Sequence, residues 1–427
     1  MDFELPQELT DYLQELDAFI AAEIKPLEQA DDNIRFFDHR REDARTDWDR
    51  GGLPSAEWEA LLAEAVRRAD AAGHYRYPAP KEYGGRDGTN LGMAVIREHF
   101  AMQGLGLHND LQNEHSIVGN NISLLLMLHY GNEQQKAEWV DKLANGTAGF
   151  AFGITEPEHG SDATHMETSA VRDGDEWVIN GEKTWNTGIH AATHDLIFAR
   201  TSGKAGDGNG ITAFLVPAAA RGFKVEEMLW TFNMPTDHGR VSLTDVRVTH
   251  DDILGEEGRG LQVVQHFFNE NRIRQAAASL GAAQFCINES VAYAKKRAPF
   301  GKPLATNQAI QFPLVELQTQ CEMMRALIYK TAWQVRRVLR VGQGVDVQLL
   351  VESPVLRGRR SRDAGARRAR LFAPQTVRTH LPASPALPDH RRRRGNPDAT
   401  RGRLPVRVHE PARTEGRRRV NAAGVCV

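Results

Sequence analysis

Two short segments hold the residues best suited to chemistry. Residues 152–162 read Phe152-Gly-Ile-Thr-Glu-Pro-Glu-His-Gly-Ser-Asp162: an apolar lead through Ile154, a turn at Thr155-Glu156-Pro157 and a small polar Gly160-Ser161-Asp162 loop. Residues 181–188 read Gly181-Glu-Lys-Thr-Trp-Asn-Thr-Gly188, a turn followed by an aromatic and a hydroxyl. Taken singly, Thr155, Glu156 and Ser161 are ordinary turn and cap residues beside Gly and Pro, and Trp185 is an ordinary core residue. Taken together they describe two strand ends able to hold a flat, polar-edged ligand. A third segment is Arg297-Ala-Pro-Phe300-Gly301-Lys-Pro303-Leu304 with Gln308, which taken alone is a solvated Arg followed by a Pro/Gly loop. A fourth, Asn271-Arg272-Ile273-Arg274 with Gly281 nine residues after Arg272, places arginines early in a helical pattern.

The elements that must position these residues change character twice. Residues 8–30 and 55–72 carry apolar residues at helical spacing, with Leu9, Leu13, Leu16 and Phe19 on one stripe. Residues 115–130 are more uniformly apolar, as in a buried helix, and an amphipathic helix follows from Gly131 until Asn145-Gly146 ends it. From about residue 149 the pattern becomes short, β-branched and bounded by Gly, Pro, Asn and Asp: 176–180, 196–200, 211–216 and 241–246 read as strands of an antiparallel β domain. Residues 203–210 form a hairpin loop; no helical pattern follows, which argues against a phosphate cradle. Helical spacing returns over 261–296 and 308–341.

Composition narrows the function classes. The 427 residues suffice for two or three domains. The net charge of −3 is unevenly spread: residues 351–427 hold 19 Arg, no Lys and six acidic residues, a net +13, which leaves the preceding 350 residues at −16. A body this acidic is a poor nucleic-acid binder. Cys286, Cys321 and Cys426 are few, odd in number and far apart, which argues for a reducing compartment and against a disulfide framework or a metal site. The acidic Met-Asp-Phe-Glu-Leu-Pro start fits neither a signal nor a transit peptide, and no stretch of 18 apolar residues suggests a membrane span, so a cytoplasmic location is expected.

The segments together resemble the acyl-CoA dehydrogenase family. Its Gly-x-Thr-Glu-Pro-x-x-Gly-Ser-Asp and Trp-x-Thr segments match 153–162 and 185–187, preceded by a similar Gly131-Asn-Glu-Gln-Gln-Lys136 and Lys142-Leu-Ala-Asn-Gly146 lead-in. Its Arg-x-x-Phe-Gly segment with a downstream Gln matches Arg297, Phe300, Gly301 and Gln308. The likeness spans about residues 10–350. It implies an α+β fold: an N-terminal helical domain (1–148), a middle antiparallel β domain (149–256) and a C-terminal helical bundle (257–350, incomplete). It also implies FAD, held by Phe152, Ile154, Thr155, Ser161, Trp185, Asn186 and Thr187. Arg297 would meet the FAD pyrophosphate across a dimer interface, where its fixed charge and bidentate geometry suit phosphate oxygens, and Phe300 and Gln308 would also bind the cofactor. The acyl-CoA substrate would meet Ser161 and Arg272, the electron acceptor would be an electron-transfer flavoprotein, and the assembly a homodimer or homotetramer. The chain departs from the pattern at His159 and His165, where the family prefers small residues, and at Met234-Pro-Thr-Asp-His-Gly-Arg240.

The tail, 351–427, has eight prolines, nineteen arginines and no helical period. A disordered basic arm is one reading; an out-of-frame segment fits better. Shifted by one base, with codons chosen within each residue's degeneracy, 363–371 yields MQVHGGLGY, Leu371-Phe-Ala-Pro-Gln-Thr376 yields YSRHKP, 387–391 yields YRIT and an acidic residue, and 392–398 yields GAEEIQM. The first string resembles the family's C-terminal flavin-contacting segment, and the last two resemble the segment carrying its catalytic carboxylate. In some relatives the base precedes the helix arginine, but Asn271 stands there and cannot serve. No catalytic base is therefore assigned within the chain. Three readings follow: a dehydrogenase with a frameshifted tail, a catalytically dead flavin-binding remnant, or an oxidase-like flavoprotein. A genuine nucleic-acid-binding tail is the remote fourth.

Overall fold

The computed structural model describes residues 4–109, 116–230 and 237–335. The Arg-rich tail with Cys426, residues 336–350 of the expected C-terminal bundle, and Met234, Pro235 and Thr236 lie outside the described residues.

Local signals set most helix starts. Ser55 accepts a hydrogen bond from the Trp58 amide (3.4 Å) to begin α4 (Ala56–Ala71), Asn132 and Gln135 form a reciprocal capping box on α7 (Glu133–Ala144), and Asn307 caps α9 (Gln308–Gln334). Before α4 come α1 (Gln7–Phe19), a π turn over Ile20–Ile24, α2 (Lys25–Gln29), α3 (Arg41–Arg45) and a two-stranded ribbon of β1 (Thr46–Asp47) and β2 (Leu53–Pro54). The single helix expected over 8–30 is thus interrupted by a π turn. Then follow α5 (Asn90–Met102) and α6 (Ile122–Tyr130). No stripe in the sequence announces α5, because it is buried on nearly every side. Even its Arg97 is buried, donating to the Val118 carbonyl (2.8 Å) and Asn109 Oδ1 (3.3 Å).

Seven strands form the second sheet: β3 (Phe150–Gly153), β4 (Ser169–Asp173), β5 (Glu176–Thr187), β6 (His194–Arg200), β7 (Ile211–Pro217), β8 (Phe223–Met228) and β9 (His238–Thr249). β5–β9, β4–β5, β6–β7 and β8–β9 are antiparallel, as expected. The sheet is nonetheless mixed. β6 carries β7 along one edge, and along the other it pairs in parallel with β3 and, at Arg200, with β4. Gly181 corrects a second expectation: it lies inside β5, at a bulge, and not in a turn. A Cβ there would sit 2.4 Å from Thr168 Oγ1, so the chain needs glycine for this close approach. The core of the sheet is Trp177, Ile179, Phe214, Val216 and Val246.

After the sheet, α8 (Gly260–Lys296) runs 37 residues and packs against α5 and α9. Glu98 of α5 takes the Arg325 guanidinium of α9 (2.7 Å), tying N-terminal and C-terminal helices together. No helix among the described residues is long and apolar enough to cross a membrane.

Candidate cofactor site

The two segments singled out from the sequence are physically joined. The Thr184 amide donates to the Thr155 carbonyl (2.9 Å). One residue earlier, the fully buried Lys183 ammonium donates to Glu156 Oε1 (2.9 Å) and to the Ile154 carbonyl (3.3 Å). The Glu156 carboxylate also accepts the Glu167 amide (2.6 Å) and the Thr168 amide (2.9 Å). Burial alone would raise the Glu156 pKa; the Lys183 charge and these amides outweigh it and hold the carboxyl below its usual range. Glu156, unremarkable as a turn residue, is therefore the clamp that fixes the 154–168 loop to β5.

The clamp sets which groups face outward. A second bulge in β5, between Thr184 and Asn186, puts Trp185 at φ +67°, a conformation costly for an aromatic residue and held here by the flanking pairs. The indole is half-buried and meets the His238 ring edge-on (6.2 Å, 77°). Thr187 Oγ1 lies 2.9 Å from His238 Nδ1. The Thr155 side chain is half-buried and that of Ser161 exposed, and neither hydroxyl is engaged among the described residues. Phe152 packs its ring against Phe198 (5.1 Å) and Phe267 of α8 (4.7 Å).

Asn186 turns the other way. Its side chain is fully buried and donates to Asp195 Oδ2, so only its backbone is left to meet a ligand. Burial pushes the Asp195 carboxyl up to about 7, against the opposing pull of Asn186 and Lys183. The second oxygen of Asp195 and the Asn186 Oδ1 are both buried without a partner. Gly153 makes room for this pair: a Cβ there would lie 2.8 Å from Asn186 Nδ2, 3.2 Å from Asp195 Oδ1 and 2.5 Å from Ile197 Cδ1.

Arg272 lies early on α8, its guanidinium 5.5 Å from the Phe268 ring centroid and Nη1 3.4 Å from Asn269 Oδ1. Glu270, two residues before it in the chain, is buried and bonded to Arg274 (2.6 Å). Two residues along a helix is about 200° of rotation, so Glu270 and Arg274 occupy the side opposite Arg272. Arg297, Phe300 and Gln308 stand elsewhere and are all exposed, Phe300 completely, at φ +54°. Phe267 touches Phe152, and the 30 residues from there to Arg297 span roughly 45 Å at helical rise. Near the same turn Tyr293, Phe312 and Val315 are each about 62–63% accessible, as is Met323 farther along α9.

The joined segments fit a flavin. The groups they offer include neutral hydroxyls, strand backbone and one indole, which match a planar ring with a polar edge. Lys183, Asp195 and Phe267 carry no motif in the sequence, while His238 belongs to the 234–240 departure noted there. Period-two counting from Trp177 and Ile179 does put Lys183 on the inward side of β5, a usable signal. Asp195, a lone acid opening the buried run 196–199, is another. Nothing local marks Phe267, which reaches the site only through the packing of α8.

Family models for the N-terminal, middle and C-terminal domains of acyl-CoA dehydrogenase match residues 33–147, 151–246 and 258–348. The chain is 31% identical to glutaryl-CoA dehydrogenase of Desulfococcus multivorans over 355 residues, covering 82% of this chain and 83% of that one. It is 32% identical to 3-(aryl)acrylate reductase of Clostridium sporogenes over 64% of this chain and 71% of the relative. Among solved structures, butyryl-CoA dehydrogenase from Megasphaera elsdenii superposes with a TM-score of 0.63 at 28% identity, covering 78% of this chain and 81% of that one. Three domain models in order, a relative matched over most of both lengths, and the shared fold establish that the chain belongs to the acyl-CoA dehydrogenase family, whose members are FAD-dependent oxidoreductases acting on CH–CH bonds.

Proposed function

We propose that this chain holds FAD at the edge formed by Phe152, Ile154, Thr155, Ser161, Trp185, Asn186 and Thr187, and that it served α,β-dehydrogenation of an acyl-CoA thioester. The observation that carries this reading is the Thr155–Thr184 bond with the Lys183–Glu156 clamp beneath it, which brings both segments to one edge. When bound, FAD supplies the acceptor for the hydride leaving the β-carbon. The chain's own part is placement. Trp185 covers one side of the ring and excludes water, Thr155 and Ser161 donate to polar edges, and Thr187 donates toward the ring nitrogen that takes the hydride. Arg272, beside Phe268 on α8, is our candidate for meeting the acyl-CoA.

Arg297, Phe300 and Gln308 serve a second copy of the chain. Some 45 Å of helix separates Arg297 from its own Phe152, farther than an extended dinucleotide reaches, while the exposed Phe300, Phe312, Val315 and Met323 offer an apolar face for that copy. A homodimer or homotetramer follows, with an electron-transfer flavoprotein as acceptor.

The α-proton needs a carboxylate. Asn271 carries an amide, and Glu270 is spent on Arg274 at the other side of the helix. We assign the base to the segment that 351–427 would encode one base out of register; the C-terminal family match ends at residue 348, beside the change in composition. Asn271 beside Arg272, an amide that cannot take the proton, also favours a second reading, a flavin-binding remnant. Titration of the purified protein with FAD and then with acyl-CoAs separates them. A yellow protein bleached by an acyl-CoA supports the dehydrogenase, a yellow protein bleached by none supports the remnant, and a protein that takes up no FAD refutes both. The nucleotide sequence around codon 350 tests the frameshift directly.

A further inference from the structure

We propose that Asp237 and His238 are positioning residues that orient the Thr187 hydroxyl, so that its proton points away from the protein and toward the cofactor. The inference rests on the FAD reading of Thr187 given above and extends it to two residues outside the two cofactor segments.

A threonine hydroxyl has one proton. If Thr187 donates to His238, it has nothing left to give a ligand; if it accepts from His238, its proton is free. His238 Nδ1 lies 2.9 Å from Thr187 Oγ1, so the outcome depends on which ring nitrogen carries the hydrogen. The neighbouring carboxylate decides it. Asp237 Oδ1 stands 3.3 Å from the same Nδ1, and Asp237 is buried. An unprotonated Nδ1 would aim its lone pair at that carboxylate, which is repulsive; a protonated Nδ1 is attracted to it. Nδ1 is therefore the donor and Thr187 Oγ1 the acceptor, whether the ring is neutral or charged.

The backbone fixes this geometry. Thr187 and His238 are register partners across β5 and β9, the Gly188 amide donates to the Asp237 carbonyl (2.7 Å), and the Leu229 amide donates to the His238 carbonyl (2.7 Å). The imidazole also meets Trp185 edge-on, so one ring supports both outward-facing groups of the bulge. Other charged groups nearby are occupied: Arg240, two residues on, is paired with Glu182 and Glu227.

The test is a double-mutant cycle on the full chain, reading FAD affinity and flavin midpoint potential. Thr187→Val is expected to weaken FAD binding by about tenfold, the usual size of one hydrogen bond to a ligand edge, and to shift the potential. His238→Phe should reproduce both changes, and adding it to Thr187→Val should change nothing further. His238→Asn, whose amide nitrogen can replace the Nδ1–H donor, should restore values near those of the unmodified chain. If Thr187→Val has its effect while His238→Phe is silent or strictly additive, or if His238→Asn fails to rescue, the positioning role is refuted and the FAD reading stands. If Thr187→Val itself is silent, or the chain takes up no FAD, the reading beneath it falls and the inference falls with it.

Discussion

Asp195 gives the sharpest quantitative test of the sheet chemistry. It is fully buried, bonded to Asn186, and faces Lys183, which is already engaged by Glu156; its strand partners Ala151 and Val216 carry no charge. Its pKa rises from 3.8 to about 7 on folding. Between those values the folded protein keeps a proton that the unfolded chain has released, so stability falls as pH rises through the window. The slope is about 1.4 kcal/mol per pH unit, which between 3.8 and about 7 amounts to at most about 4 kcal/mol. Asp195→Asn cannot ionise and keeps the shape of the pair. Its stability relative to the unmodified protein should therefore climb from pH 4 to pH 7, by as much as about 4 kcal/mol, and level off above. Urea unfolding at half-unit steps from pH 4 to 8 reads the difference. Parallel stability curves for the two proteins would refute the assignment of a buried proton to Asp195.

Two further substitutions probe the other parts of the site. Lys183→Met strands the Glu156 carboxylate in the interior, which should cost roughly 3–5 kcal/mol in urea unfolding at neutral pH, as for one partner lost from a buried pair. The deficit should shrink as pH falls, because a protonated Glu156 carries no charge; a deficit independent of pH would contradict the clamp. Arg297→Ala should leave the unfolding transition of the FAD-free protein unchanged, since the side chain is exposed, yet weaken FAD binding roughly ten- to a hundredfold by isothermal titration, the range for a lost charged hydrogen bond. Unaltered FAD affinity would remove Arg297 from the cofactor site.

Much of the fold and the core of the site were legible in the residues themselves. Strongly periodic stretches such as 8–19 and 56–71 announce their helices, and Gly, Pro and Asn bound the strands where they should. The losses have physical causes. α5 hides because a helix buried all round has no stripe. β3 and β8 hide because four to six residues at a mixed sheet's edges show too little alternation, and the parallel pairing of β3 with β6 is a tertiary choice with no local signature. Within the proposed site, Trp185 and Thr187 stood out only through the family resemblance of their segment. Lys183 and Asp195 carry no motif of their own, and it is burial that shows each has a partner; the register sets His238 opposite Thr187.

The central claim is that the joined 152–162 and 181–188 segments hold FAD with the help of Arg297 from another copy. Flavin absorbance recorded together with light scattering on the eluting full-length protein tests it most directly. The account predicts one FAD per chain, found only in species of two or more chains. A colourless protein, or a monomer carrying stoichiometric FAD, would contradict it.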